Sequence, residues 1–261
     1  NNHMKKLIFV FIAVLVIGFI PCNKDDVTPI ECTTNPTPTD EAFVKTIEFP
    51  SGDSLMITAD HYHVNNSKPI IVLCHQAGYS RGEYLEIADS LNRLGFNCLA
   101  IDQRSGGSVN GVNNETRTRA IAAGLAISFT DAKQDIVAAI SWAKAYYGKN
   151  VILWGSSYSA AHSLVISNEN ADVEQVLVFS PGEFLAGTNV EASVTGLNKP
   201  AFLTSSKTEA TDVTDFYNVI TSTDKVQFIP TGSGVHGAKA LWSSQSDQAE
   251  YWVAVKAFLG V

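Results

Sequence analysis

Apolar residues along this chain fall into short unbroken runs, separated by segments in which they recur every three or four positions. Pro69–Cys74, Phe96–Ile101, Val151–Trp154, Val176–Phe179, Ala201–Thr204 and Val226–Ile229 are continuous rather than alternating. Strands covered on both faces, as in a parallel sheet, have this pattern. Ahead of them, Phe43–Phe49 and Leu55–Val64 read as two extended segments joined as a hairpin around Pro50-Ser51-Gly52-Asp53. Between the runs, Glu83–Leu94 sets Leu85, Ala88, Leu91 and Leu94 at helical spacing and stops at Gly95. Ala132–Tyr147 does the same with Ile136, Ala139, Ile140 and Ala143, and Ser157–Ser167 and Ser246–Leu259 complete the helical set. Strand and helix alternating in this way specify a doubly wound α/β domain: a mostly parallel sheet of about eight strands, helices on both faces and right-handed crossovers. Ligands of such sheets sit outside the carboxyl ends of the strands, so chemistry is expected just after each run.

The first forty residues follow a different pattern. Asn1–His3 precede Met4 and are set aside as a non-native or over-extended start. Lys5 and Lys6 then lead into 14 apolar residues, Leu7–Ile20, short of the roughly 20 needed to span a bilayer and suited to a signal-peptide core. Cys22 resembles the acceptor cysteine of bacterial lipoproteins, and Asn23-Lys24-Asp25-Asp26 resembles the export signal of surface lipoproteins in Bacteroidetes-like bacteria. Lipidation at Cys22 would leave the protein anchored to a membrane, facing the periplasm or the cell surface. An ordinary cleaved signal would instead release a secreted soluble protein. Residues 23–40 are rich in proline, threonine and acid and form a solvated tether. The folded domain is expected over 41–261.

Composition narrows the possible functions. A 45% apolar content in 261 residues fills a sizeable core and rules out global disorder. With 18 basic against 26 acidic residues, the chain lacks the positive footprint that nucleic-acid binding needs. Four cysteines are too few for a disulfide scaffold. Cys74 and Cys98 lie inside apolar runs and are expected as buried thiols.

The sharpest chemical signal follows the fifth strand run, in Gly155-Ser156-Ser157-Tyr158-Ser159. A strand that turns directly into a helix leaves the turn residue strained and its side chain exposed above the sheet, and the flanking positions must be small. Ser157 is therefore the candidate nucleophile, with Gly155 and Ser159 as the small neighbours, the latter where G-x-S-x-G has its second glycine. The competing reading is a plain helix start with Ser156 or Ser157 as its cap. His236, six residues past Pro230 at the end of the last strand run, hangs where a general base must lie to reach Ser157. Of the other histidines, His61 and His63 fall in the early hairpin, His75 ends a strand, and His162 lies inside the helix after the elbow.

In chain order, His75-Gln76-Ala77-Gly78, Asp102-Gln103-Arg104-Ser105-Gly106, the Ser157 elbow, Ser180-Pro181-Gly182 and His236-Gly237 resemble the α/β-hydrolase superfamily, in its small dienelactone-hydrolase-like or esterase form. The resemblance covers about Lys68 to Val261. It implies an acid after the seventh strand, where Glu209 stands, with Asp212 as second choice and Glu183 as third. It also implies an oxyanion hole made of the backbone amides of Tyr158 and Ala77, with Gln76 as alternative. The expected activity is hydrolysis of carboxylic esters through an acyl-enzyme. A serine peptidase or thioesterase of the same fold is the alternative, and a non-catalytic substrate-binding lipoprotein is the alternative of another class.

Other matches carry less. Gly232–Gly237 satisfies G-x-G-x-x-G, but only 24 residues follow it, too few for a βαβ unit. His61 and His63 share a strand face without a third ligand of known position, so no metal and no cofactor is expected. The connection Pro181–Lys199 is too short for a helical lid, and 106–130 is expected as a solvated connection, with Arg117 and Arg119 available to an anionic substrate. The expected substrate is a small-molecule or glycan-borne ester, taken by a monomer.

Overall fold

The computed structural model describes residues 40–261; the signal segment with Cys22 and the body of the tether lie outside the described residues. Eight strands form one sheet: β1 (Phe43–Pro50), β2 (Met56–His63), β3 (Ile70–Cys74), β4 (Asn97–Ile101), β5 (Val151–Ser156), β6 (Val173–Phe179), β7 (Ala201–Thr204) and β8 (Lys225–Phe228). Their spatial order is β1-β2-β4-β3-β5-β6-β7-β8. Only β2 runs against the rest: it pairs antiparallel with both β1 and β4, while β3 to β8 are mutually parallel. This is the mostly parallel, eight-stranded α/β sheet that the apolar runs predict.

The helices are α1 (Leu85–Arg93), α2 (Glu115–Ala122), α3 (Lys133–Tyr147), α4 (Tyr158–Glu169), α5 (Val190–Val194), α6 (Ala210–Val219) and α7 (Gln248–Leu259). Successive strand residues point to opposite faces, which sorts the core. Ile71 and Leu73 of β3 with Cys98 and Ala100 of β4 pack under α1 and α7. Ile70, Val72 and Cys74 with Leu99 and Ile101 pack under α3. Around α4 to α6, Leu164, Val178, Leu203 and Phe216 form a third cluster. Cys74 and Cys98 are free, buried thiols on opposite faces.

Residues 106–130 are largely solvent-facing, as expected of a connection, but they carry secondary structure that the sequence pattern does not mark. Ser108–Val109 and Val112–Asn113 pair as a small ribbon, turned through Asn110 and Gly111, both at positive φ, and α2 follows directly. Thr116 and Ala120 are buried, and Thr116 Oγ1 accepts the Thr58 N–H at 2.9 Å. Arg119 pairs with Glu48 and donates to Thr58 Oγ1 at 2.7 Å, which fixes it to the outer hairpin. A single buried pair at i and i+4 is too brief a period to be legible in the sequence. The sequence pattern likewise does not mark α5 and α6.

Candidate active site

Parallel register brings the carboxyl ends of four strands to one edge. Cys74 pairs with Gly155, Ser156 with Phe179, and Phe179 with Thr204. The residues that follow, His75, Ser157, Ser180 and Ser205, therefore emerge side by side.

Ser157 leaves β5 at φ 59° and ψ −122°, a conformation that a residue with a Cβ adopts only when its surroundings impose it. Its N–H donates to Phe179 O at 2.8 Å, extending the β5–β6 ladder by one bond. The helix α4 begins at once, and it crosses β5 so closely that a Cβ on Gly155 would lie 2.5 Å from Ser159 O and 2.6 Å from Ala160 Cα. Gly155→Ala is accordingly expected to cost about 1–3 kcal/mol of stability through overpacking, read as a lower urea midpoint, and to displace the elbow. Ser159, at the off-pattern position, is buried. Its hydroxyl donates to His75 O at 2.6 Å and accepts from Gln103 Nε2 at 2.5 Å. A glycine there would satisfy the steric need but would leave the loop after β3 without this anchor.

The structure brings Ser157, His236 and Glu209 together. The Ser157 hydroxyl lies 2.8 Å from His236 Nε2, and His236 Nδ1 lies 2.5 Å from Glu209 Oε1. Ser157 is 7% exposed, and Phe184 meets the imidazole edge-on, with ring centroids 6.5 Å apart. Glu209 ends the short 3₁₀ turn Lys207–Glu209 after β7. Its Oε2 accepts from Ser180 Oγ at 2.9 Å, Ser206 Oγ at 2.7 Å and Ser206 N at 3.1 Å. Partial burial opposes its ionisation, but the hydrogen bonds from His236, Ser206 and Ser180 prevail and hold its carboxyl down to about 2. Folded Glu209 thus binds its proton less readily than it does in the unfolded chain. Its contribution to stability is complete above the ordinary glutamate range near 4.5 and drains as pH falls towards 2. Glu209→Gln is expected to flatten the acid side of the stability profile across that window, as followed by urea midpoints against pH.

The other two candidate acids lie beside Glu209 but do not bond to His236. Glu183 accepts the Val190 and Glu191 amides at 2.7 and 2.8 Å and so caps α5, and Asp212 is exposed on the first turn of α6. The Gln76 amide, the alternative oxyanion donor, donates to Glu83 Oε2 at 2.7 Å. Among the described residues the Tyr158 and Ala77 amides have no hydrogen-bond partner. Of the remaining histidines, His61 and His63 share the Tyr147 hydroxyl at 2.6 and 2.8 Å. His162 Nε2 donates to Phe129 O at 2.7 Å, and Phe129 stacks on Tyr158 with centroids 4.4 Å apart. His75 is buried, and desolvation holds its imidazole down to about 4. Neutral His75 donates through Nδ1–H to Gln76 O at 2.8 Å and accepts the Gln103 N–H at 3.0 Å. Sequence reasoning missed the roles of Ser180, Ser206 and Glu83: those of Ser180 and Glu83 are set by tertiary contact, whereas Ser206 and Glu209 form a capping box, a Ser-x-x-Glu signal legible in the sequence.

A profile described as serine aminopeptidase, S33, matches residues 65–233. No curated protein matches the sequence. Among solved structures, the chain is similar to an esterase of Pyrococcus furiosus, with 18% identity over 87% of this chain and 94% of that one and a TM-score of 0.66. It is also similar to a dienelactone hydrolase of Anabaena variabilis, with 14% identity, 84% and 97% coverage and a TM-score of 0.65. A third likeness is to the esterase domain of a Rhodothermus marinus protein, with 16% identity, 83% and 97% coverage and a TM-score of 0.58.

Proposed function

Since the chain belongs to the serine aminopeptidase S33 family, a group of α/β-hydrolases, we propose that it is a serine hydrolase cleaving carboxylic esters, with Ser157 as nucleophile, His236 as general base and Glu209 as the acid that orients it. The observation that carries this reading is the continuous hydrogen-bonded line from Ser157 through His236 to Glu209 beside two unpartnered amides. His236 Nε2 takes the hydroxyl proton as Oγ attacks the acyl carbon. The carbonyl oxygen becomes an oxyanion facing the Tyr158 and Ala77 N–H groups. Imidazolium then returns the proton to the departing alcohol, and water repeats the sequence to release the acid. Glu209 stays ionised throughout and stabilises the positive ring.

Groove chemistry supports a neutral or cationic substrate. Next to Glu209 lies a cavity of about 320 Å³ lined by Phe184 and Phe216 and by the carboxylates Glu183, Glu191, Asp212 and Asp215. Arg119, considered above for an anionic substrate, is engaged with Glu48. This cavity also favours a second reading, hydrolysis next to a free amine, as the family description suggests. The export reading, lipidation at Cys22 and delivery to a periplasm-facing or outer surface, completes the proposal.

A fluorophosphonate probe tests it directly. Labelling is expected at Ser157, fast in the parent and absent in Ser157→Ala. A panel of p-nitrophenyl esters and aminoacyl anilides is expected to show turnover of the esters. Preferential turnover of the anilides would favour the peptidase, and a chain neither labelled nor active would be a binding protein.

A further inference from the structure

Behind the site lies a buried carboxyl group that the mechanism above does not use; desolvation pushes it up to about 7. Glu83 sits in a 3₁₀ turn (Arg81–Tyr84) and is completely buried. Burying a carboxyl costs free energy that its hydrogen bonds only offset. It lies where the three loops that build the site meet. Oε2 accepts the Gln76 N–H at 2.7 Å, and Oε1 accepts the Ser156 hydroxyl at 2.8 Å. That hydroxyl in turn accepts the Ala238 N–H at 2.8 Å, two residues past His236. One side chain therefore ties the loop after β3, the nucleophile turn and the histidine loop. They are packed so closely that a Cβ on Gly237 would lie 2.7 Å from Ser156 Oγ and 2.9 Å from Gln76 Oε1.

The consequence for the oxyanion hole follows from the planarity of the peptide unit. The Ala77 N–H belongs to the same plane as the Gln76 C=O and points away from it. Gln76 O is held by His75 Nδ1–H at 2.8 Å and by the Tyr79 N–H at 3.2 Å, while Gln76 N is held by Glu83. With both ends of Gln76 fixed, the Ala77 amide has one direction left. We propose that Glu83 is a positioning residue: it aims the Ala77 amide at the developing oxyanion and keeps that amide in register with Ser157 and His236. The proposal rests on the hydrolase reading given above.

The test compares Glu83→Ala and Glu83→Gln with the parent and with Ser157→Ala, all as the full chain. The readouts are steady-state hydrolysis of p-nitrophenyl acetate, the rate of fluorophosphonate labelling and inhibition by a trifluoromethyl ketone. That ketone adds to the serine and leaves an oxyanion in the hole. A donor of this kind accounts for about 10²–10³ in kcat. Glu83→Ala is therefore expected to lose about 10²-fold in kcat, with KM within about threefold, and to lose labelling rate and ketone affinity in parallel. Glu83→Gln offers a carbonyl to the Gln76 amide and an NH₂ to Ser156 Oγ, so it is expected to stay within about tenfold of the parent. If Glu83→Ala does not fold, Glu83→Asp, one methylene shorter, takes its place and is expected to lose kcat in the same sense. A folded Glu83→Ala with parental kcat and ketone affinity overturns the proposal, as does a loss that falls on KM alone. A parent chain that neither labels nor hydrolyses overturns the hydrolase reading itself and this inference with it.

Discussion

Ser157→Ala is expected to lower kcat by about 10⁵–10⁶-fold while leaving the fold and substrate binding intact. On the proposed mechanism the alcohol is the only group in the site that forms the covalent bond, and its removal takes nothing from the core. The side chain is 7% exposed and is bonded only to His236. The backbone strain at φ 59° stays as it is, because alanine keeps the Cβ. His236→Ala is expected to fall almost as far, and the double variant no further than either single, because nucleophile and base act as one unit. Residual turnover above the water rate should persist in all three from the two amides and from binding. Stopped-flow acylation with a chromogenic ester measures each value. Additive losses in the double variant would mean that the two residues do not work together.

The largest stability effect is expected at Arg104, not at the site. Its guanidinium is 1% exposed as a residue and lies between two carboxylates. Nη2 meets Asp135 Oδ1 at 2.7 Å, Nη1 meets Asp53 Oδ2 at 2.7 Å, and Nη2 also donates to Ser51 Oγ at 3.2 Å. The Arg104 N–H donates to Asp135 Oδ2 at 2.8 Å. One residue thus joins the loop after β4, the β1–β2 turn and the start of α3. Burial pushes the Asp135 carboxyl up even beside Arg104, and without the cation Asp135 would be a buried carboxyl with no opposite charge, held only by the residue 104 N–H. Arg104→Ala is expected to cost about 3–5 kcal/mol and to lower Tm by roughly 6–20 °C. Arg104→Lys should recover little, because one ammonium cannot serve two carboxylates in a fork geometry. Pairing Arg104→Met with Asp135→Leu should recover much of the loss, since a well-packed apolar pair removes the desolvation cost on both sides. Urea unfolding of the four chains decides it; a single Arg104→Ala midpoint within error of the parent would leave the network without a structural role.

Sheet and site were legible in the sequence to different depths. Five of the six apolar runs became β3 to β7 because strands buried on both faces need apolar side chains at nearly every position, which leaves a continuous mark; the sixth became the edge strand β8, where Val226 is exposed. The hairpin was marked by its turn residues, and Ser157 by the small neighbours its geometry requires. Helix starts were less visible: Glu83–Leu94 is a 3₁₀ turn followed by α1 from Leu85, and Ala132–Tyr147 is likewise preceded by a 3₁₀ turn. Residues 106–130 hid an ordered ribbon and helix because what fixes them is polar: Thr116 to Thr58, Arg119 to Glu48, Asn114 Nδ2 to Gln103 O. Polar tertiary contacts have no period. The same reason concealed Glu83 and Ser180, whose partners lie 73 and 29 positions away.

Those separations also determine when the site can exist. The loop after β3, the elbow, Ser180, Glu209 and Ala238 meet only across long stretches of chain, so each contact waits for a large loop to close. A nascent chain emerging from the ribosome has its nucleophile more than eighty positions before the segment that carries the base is complete. The sheet must be assembled from β3 to β8 before the proton acceptor reaches the alcohol. On the proposed function, an unfinished or denatured copy would until then have no means of attacking the cell's own esters, and reactivity would arrive together with the native state.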